Sequence, residues 1–169
     1  MKQIQLTQGK VALIDDEDYG RVYKFRWHVY QDKIRRKDKF YAIRSGSRKI
    51  RHGWKESIKM HRVIMNAKPG QIIDHIDSNG LNNQKSNLRF CTREGNSYNT
   101  NKRKGNHSSK YKGVSWHKKI NKWTSYIRFN KVLIHLGNYD IEIDAAKAYD
   151  KKAKELCKEF AKLNFKEDR

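Results

Sequence analysis

The sequence lacks the residues that build crosslinked domains and membrane spans. Only two cysteines occur in 169 residues, Cys91 and Cys157, and no Cys-x-x-Cys pair exists. A structural zinc held by thiolates is therefore not expected, and each cysteine is expected to pack in a core. No apolar run approaches the length of a membrane span, and no signal peptide is recognisable. We therefore expect a cytoplasmic protein that is neither secreted nor inserted in a membrane.

Acidic residues are also scarce. The chain has 18 Asp and Glu against 39 Lys and Arg, a formal net charge of +21. A charge of this size attracts polyanions, and here it is spread along the chain rather than confined to a tail. Aromatic residues are plentiful, which argues against a simply disordered chain. Nucleic acid is the first partner that this composition indicates, and an anionic membrane is the second.

Proline occurs once, at Pro69, where with Gly70 it ends a short helix predicted within residues 57–67. Earlier in the chain, alternation predicts a strand over residues 11–14. The acidic residues 15–18 are expected to cap a short helix that extends to Arg26. Two β runs around a charged turn are predicted within residues 27–45.

The stretch from residue 71 to residue 99 predicts strand, loop, strand and helix. The runs "QIIDHID" and "LRFCT" have the apolar character of short strands. Between them, "SNGLNNQKSN" predicts a loop, because Asn and Gly tolerate left-handed backbone and Asn can bond its own main chain. Thr92 is the expected N-cap of a helix through "REGNSYNT".

The basic stretch "NKRKGNHSSK" at residues 101–110 has no large apolar residue and no acid, which predicts a linker. A solvated loop within a single domain is the alternative. Three alternating runs then predict an antiparallel sheet, and apolar residues at helical spacing predict one amphipathic helix with Asp140 as its N-cap. The predicted fold class is α+β, with domains at 1–100 and 110–169 joined by a linker at 101–109.

Three side chains in the stretch from residue 71 to residue 99 have the chemistry for cutting a phosphodiester. Hydrolysis needs an activated water, charge relief on the phosphoryl oxygens and help for the leaving oxygen. His75 can accept the proton of the water near neutral pH, and Asp74 and Asn96 offer oxygen ligands to a hard divalent cation. One difficulty is that adjacent strand residues point to opposite faces. Asp74 and His75 can reach one phosphate only if the strand ends or twists there.

At this point the chain resembles a known family. The elements "MHR", "IDHID", "LNN", "NLR" and a helical Asn follow one another within residues 58–99, as in the HNH endonucleases of the Asp-His form found in phage homing endonucleases. The resemblance implies a ββα-metal unit with His75 as general base, and with Asp74 and Asn96 holding a single Mg²⁺ or Mn²⁺ and no zinc. Asn87 would tie down the loop through hydrogen bonds to backbone. His61 would support the site or touch phosphate, and a purely structural role is the alternative.

The C-terminal part, residues 108–165, contains the segments "YKGV", "LGNY", "AAKAYD" and "LNF" in that order. In these segments it is similar to the ethylene-response-factor (APETALA-type) DNA-binding domain. The resemblance implies a three-stranded antiparallel sheet that meets the major groove of DNA, braced by one helix. Ser115 and His117 stand where plant members have base-reading Arg, so the base preference does not transfer.

Several residues of this part are predicted to contact DNA. Arg128 matches an Arg of the family's sheet, and Trp123 matches an aromatic position, with core packing as its alternative. The flexible cations are most simply phosphate contacts, which position a protein without reading sequence. The predicted DNA-binding residues are Lys112, Lys118, Lys119, Trp123, Arg128 and Lys131.

Together the two resemblances predict a divalent-metal-dependent DNA endonuclease of the homing type, targeted by a C-terminal sheet. The alternatives are a DNA-binding regulator with an inactive HNH unit, and a nonspecific polyanion-binding protein. The expected partner is double-stranded DNA and the expected state a monomer, with a dimer left open. A phage or bacterial origin is expected.

Overall fold

The computed structural model describes residues 1–31, 39–49, 55–102 and 105–165. Its contacts divide the chain into two compact units, Met1–Thr92 and Arg93–Arg169. Both combine small antiparallel sheets with few helices. The charged turn predicted between the two β runs, at 32–38, lies outside the described residues. None of the described helices has the length and hydrophobicity that a bilayer crossing requires.

In chain order the elements of the first unit are β1 (Lys2–Gln5), β2 (Val11–Ile14), α1 (Tyr19–Val22), β3 (His28–Gln31), β4 (Phe40–Lys49), β5 (Lys55–Lys59), α2 (Met60–Ile64), β6 (Ile72–His75) and β7 (Leu88–Cys91). The described strands form two two-stranded sheets and one three-stranded sheet, all antiparallel. Strand β1 pairs with β2, β4 lies between β3 and β5, and β6 pairs with β7.

Strand alternation builds the core of this unit. Ala12 and Ile14 of β2 are fully buried, while Val11 and Leu13, which alternate with them along the strand, are half-buried. The side chains of α2 complete the core, because its Met60 and Ile64 occupy one helical face. The buried cluster consists of Ile4, Leu6, Ala12, Ile14, Val22, Trp27, Val29, Ala42, Met60, Ile64, Ile73 and Leu88.

Two helices of this unit are shorter than predicted. Helix α1 ends at Val22 rather than Arg26, and the buried indole of Trp27 donates from Nε1 to the carbonyl of Val22 at 2.9 Å. For the helix predicted within 57–67, the predicted start was wrong, because Ile58 lies in β5 and pairs with Arg44 of β4. Ile58 therefore belongs to the sheet, and within the predicted range only Met60–Ile64 is helical.

The elements of the second unit are α3 (Arg93–Tyr98), β8 (Val114–His117), β9 (Lys122–Phe129), β10 (Val132–Tyr139) and α4 (Glu142–Cys157). Its described strands form one three-stranded antiparallel sheet, with β9 between β10 and β8. Helix α4 contacts all three strands. The predicted cap of α4 was wrong: Ile141 occupies the N-cap position, and Asp140 forms an ion pair with Lys122 at 3.1 Å.

Helix α3 belongs to the second compact unit, because its residues pack against others of that unit. The ring of Tyr98 stacks on Phe129 with centroids 5.3 Å apart, and a Cβ at Gly95 would come within 3.3 Å of the Phe160 ring. Lys102 also donates to the carbonyls of Ser109 and Tyr111. The compact unit thus begins ahead of the basic stretch 101–109, and the domain limits drawn from sequence stay a prediction.

Candidate functional site

The β6–β7 pair places Asp74 and His75 at the last two positions of β6. In the antiparallel register Asp74 lies opposite Arg89 and His75 lies opposite Leu88. The chain turns immediately after β6, where the amide of Ser78 donates to the carbonyl of His75 at 2.8 Å. The strand therefore ends at His75, as the predicted site requires, and both side chains are buried.

Asp74 is held by the cross-strand guanidinium of Arg89. The Nη2 and Nε atoms of Arg89 donate to Oδ2 of Asp74 at 2.8 and 3.2 Å. Opposite charges directly across an antiparallel pair attract each other on one face of the sheet. Arg89 thus fixes the carboxylate and balances its charge.

His75 is held from a different direction by a buried amide. Its Nε2 lies 3.3 Å from Oδ1 of Asn83. The Nδ2 of Asn83 donates to the carbonyl of Leu81 at 3.1 Å, which leaves Oδ1 to accept a hydrogen bond. A neutral His75 must therefore carry its proton on Nε2, and Nδ1 is then the basic nitrogen.

A second histidine packs on the first. The rings of His61 and His75 meet edge to face with centroids 4.9 Å apart, and the ring of Tyr41 lies 6.0 Å from each. Burial, followed by the nearby His75 and cations, lowers the pKa of His61 to about 3. Burial also lowers the pKa of His75, against the opposing effect of Asn83. Both imidazoles are therefore neutral at neutral pH.

The asparagine-rich loop after β6 is a hydrogen-bonded scaffold around Asp77. Asn87 accepts from the amide of Asp77 at 3.0 Å and donates through Nδ2 to the Asp77 carboxylate and to the carbonyl of Asn82. The Asp77 carboxylate also accepts from the amide of Asn79. Asn87 is therefore a tie within the loop, and in this structure its bonds go to both side chain and backbone.

Strand β2 and the acidic residues after it hold this loop from outside. Leu13 donates to the carbonyl of Leu81 at 2.9 Å and accepts from the amide of Asn83 at 2.8 Å. Asp15 accepts from the amide of Lys85, whose Nζ forms ion pairs with Glu17 and Asp18. The acidic cluster makes no side-chain cap to a helix, contrary to prediction, because it binds this loop instead.

The residues that could hold a cation are few and offer oxygen. Among the described residues, no three His, Cys, Asp or Glu side chains cluster as a metal site. Mg²⁺ and Mn²⁺ accept one or two protein oxygen ligands and keep several waters, so the Asp74 carboxylate with an amide oxygen fits such an ion. Asn96 lies half-buried on α3, in the second compact unit.

The predicted DNA-binding residues occupy different surroundings within the second unit. Ile127 and Phe129 of β9 belong to the cluster under α4, so alternation places Arg128 on the opposite face of the sheet. Lys118, Lys119 and Lys131 are exposed in turns. Trp123 packs against the buried cluster of Val114, Ala145 and Ala146, which suits the core alternative.

Lys112 differs from the exposed lysines. Its Nζ donates to the carbonyl of Tyr98 at 2.7 Å, and burial lowers its pKa to about 8. It is therefore a bonded, partly buried group in this structure.

Sequence reasoning missed two residues that the structure brings to the site, Asn83 and Arg89. Asn83 is 1% exposed and was hidden among the other asparagines of "SNGLNNQKSN". Arg89 could have been found from the strand register, since antiparallel pairing about the loop sets a basic residue opposite Asp74.

Comparison with known proteins agrees with the motif. A family model described as HNH endonuclease matches residues 59–98, which include Asp74, His75, Asn83, Asn87 and Asn96. An uncharacterized HNH endonuclease of Acanthamoeba polyphaga mimivirus is 36% identical over 163 residues, covering 93% of this chain and 76% of the relative. No solved structure matches the chain. This chain belongs to the HNH endonuclease family.

Proposed function

We propose that this protein is a divalent-metal-dependent DNA endonuclease in which His75 is the general base. The observation that carries the proposal is the His75 imidazole, buried next to Asp74 and bonded through Nε2 to Asn83. A histidine with a lowered pKa is neutral at neutral pH and can take a proton from water.

The residues of the site divide the chemistry between them. Nδ1 of His75 accepts the proton of the attacking water, while Asn83 and the edge-on ring of His61 fix the plane of the imidazole. Asp74 and Asn96 would hold one Mg²⁺ or Mn²⁺. When bound, such an ion offsets the charge on the phosphoryl oxygens and helps the 3′ oxygen to leave. Asp74 would share its carboxylate between this ion and Arg89.

The C-terminal sheet is proposed to target the nuclease to duplex DNA. In its support, three antiparallel strands carry α4 across one face and leave Arg128 on the other. A two- or three-stranded ribbon can enter the major groove, where an Arg fork can bond guanine O6 and N7. Lys118, Lys119 and Lys131 are proposed to contact phosphates.

The alternative is a DNA-binding regulator with an inactive nuclease unit. One observation favours it: the Asp74 carboxylate already accepts two hydrogen bonds from Arg89. If this pair persists in the presence of a divalent ion, Asp74 is less available as a ligand. The test of the proposal separates the two functions.

The test incubates supercoiled plasmid with the full chain in Mg²⁺, in Mn²⁺ and in EDTA. We expect nicked or linear product with metal and none in EDTA. His75→Ala should lower the cleavage rate by roughly 100- to 10,000-fold, because the general base is lost. Plasmid binding should be nearly unchanged, since it comes from the distributed Lys and Arg.

The control is His107→Ala, which removes an exposed histidine outside the site. It should cut at the wild-type rate. DNA binding by the wild type without cleavage in either metal would support the inactive-unit alternative. Cleavage in EDTA would contradict a metal-dependent reaction.

A further inference from the structure

A groove of about 1040 Å³ in the first unit is lined by aromatic and cationic side chains that the proposed nuclease site does not use. Its walls come from β1, from α1 and the segment after it, and from β4. Among the described residues, none that lines the groove is acidic. The side chains that carry the argument are Tyr19, Tyr23, Phe25, Trp27 and Arg44.

Two tyrosines form a short stack at one side of the groove. The rings of Tyr19 and Tyr23 are nearly parallel, with centroids 5.1 Å apart. The ammonium of Lys2 lies 4.3 Å from the Tyr19 centroid. Tyr23 is 57% exposed, so the stack ends in a ring that meets solvent. A planar group can extend the stack there.

Arg44 supplies an unused donor at the other side. Its guanidinium carbon lies 4.0 Å from the centroid of Phe25 and 5.8 Å from that of Trp27, while Nη1 donates to the carbonyl of Ser45 at 3.2 Å. Its Nε is buried and has no hydrogen-bond partner among the described residues. A buried donor without an acceptor is costly. Arg44 also lines the groove, so a ligand oxygen there could bond the exposed part of its guanidinium.

We propose that this groove binds unpaired nucleotides of single-stranded nucleic acid. A base stacks on Tyr23, and Arg44 donates to a phosphate oxygen of the same strand. Aromatic faces with adjacent cations bind single strands in this way, because every base has a π face. Bases inside a duplex are stacked on each other and offer no face to Tyr23. The proposal concerns binding and does not depend on cleavage.

The test measures binding of fluorescent oligothymidylate to the full chain in EDTA, where metal-dependent cutting cannot interfere. Tyr23→Leu and Arg44→Gln should each weaken binding about 5- to 100-fold, the range that loss of one stacking contact gives. Tyr30→Leu removes an exposed tyrosine outside the groove, and Lys147→Gln removes one exposed positive charge from α4. Both controls should bind as the wild type does.

Four further ligands identify what is bound. Tyr23→Leu should not change the binding of an abasic oligomer of equal length, whereas Arg44→Gln should still weaken it. Tyr23→Leu should not change the affinity for a duplex. Oligouridylate and oligodeoxyuridylate differ only in the 2′-hydroxyl, so comparing their binding separates RNA from DNA as the source of the strand.

The contradicting results are equally definite. Equal binding of oligothymidylate by the wild type and Tyr23→Leu would overturn the proposal. It would also be overturned if Tyr23→Leu weakened binding of oligothymidylate and of the abasic oligomer equally. If Arg44→Gln does not fold, Arg44→Lys keeps a cation and removes Nε, and it should still weaken binding. Tyr23 is exposed, so its variant tests the groove without disturbing the core.

Discussion

At the residue scale, the amides of the asparagine-rich loop have separate tasks. Asn79 accepts from the amide of Leu81, Asn82 donates to Asp77, and Asn87 ties Asp77 to the chain. Asn83 bonds a proposed catalytic side chain, His75. The backbone amide of Asn83 donates to the carbonyl of Leu13, so a strand far away in sequence helps to position the proposed general base.

The first prediction concerns this amide. Asn83→Leu should lower the cleavage rate roughly 10- to 100-fold, the usual cost of losing the partner that orients a functional histidine. The affinity of the variant for DNA should equal that of the wild type. Long-range ¹H–¹⁵N spectra should show the Nε2-protonated form of His75 in the wild type and a mixture of tautomers in the variant.

Asn82→Leu is the matched control, because it removes a neighbouring amide that bonds Asp77 rather than His75. Asn83→Asp keeps an oxygen acceptor and should keep the Nε2-protonated form. A leucine variant with the wild-type tautomer and the wild-type rate would remove Asn83 from the positioning of His75.

At the scale of elements, helix α2 carries a buried histidine that affects stability. The pKa of His61 is about 3 in the folded chain and near 6.5 in an exposed imidazole. Above pH 6.5 the group is neutral in both states. Below it, the unfolded chain binds a proton that the folded chain does not, so stability falls as pH falls towards 3.

The second prediction follows from that sign. The free energy of unfolding should decrease by up to about 1.4 kcal/mol for each pH unit below 6.5 through this group. His61→Phe should show a shallower decrease, measured by urea unfolding at pH 7.5, 6.0 and 5.0. His135→Phe replaces an exposed histidine and should follow the wild type. Equal slopes for all three proteins would show that His61 is not the cause.

The third prediction concerns β9 and the turn after it. Arg128→Ala should reduce discrimination between DNA sites by roughly 1–3 kcal/mol if its fork reads a guanine. Lys131→Ala should weaken all sites alike and reduce the slope of log K against log salt by about 0.9, the share of one phosphate. Binding to a selected site and to a scrambled duplex, at several salt concentrations, separates the two. Identical profiles would mean that Arg128 does not read bases.

At the scale of the whole molecule, the compact unit that begins at Arg93 should fold alone. The fourth prediction is that residues 93–169 bind duplex DNA without cutting it, since Asp74 and His75 are absent. A fragment from residue 110 should melt at a lower temperature, because it lacks the Tyr98–Phe129 stack and the bond from Lys112 to Tyr98. Equal melting temperatures would mean that α3 adds nothing to the unit, and absence of DNA binding would contradict the targeting role.

The sequence by itself determined the elements whose signals are local. Strand alternation predicted β2 at its observed limits, and the strands around "DHID" and "LRFC" follow from apolar runs that flank a loop of Asn and Gly. The ordered motif likewise singled out Asp74, His75 and Asn87 within the matched residues 59–98.

Only the tertiary structure decided what these residues bond to. The acidic residues after β2 resemble a helix cap in sequence, yet they bind Lys85, about 70 positions away. Asp140 likewise pairs with Lys122 rather than capping α4. Asn83 and Arg89 acquire their roles from contacts that no local pattern encodes: a bond to His75 across the loop and a cross-strand pair with Asp74. The physical reason is that charge, hydrogen bonding and burial act through space, and the chain must fold before the partners meet.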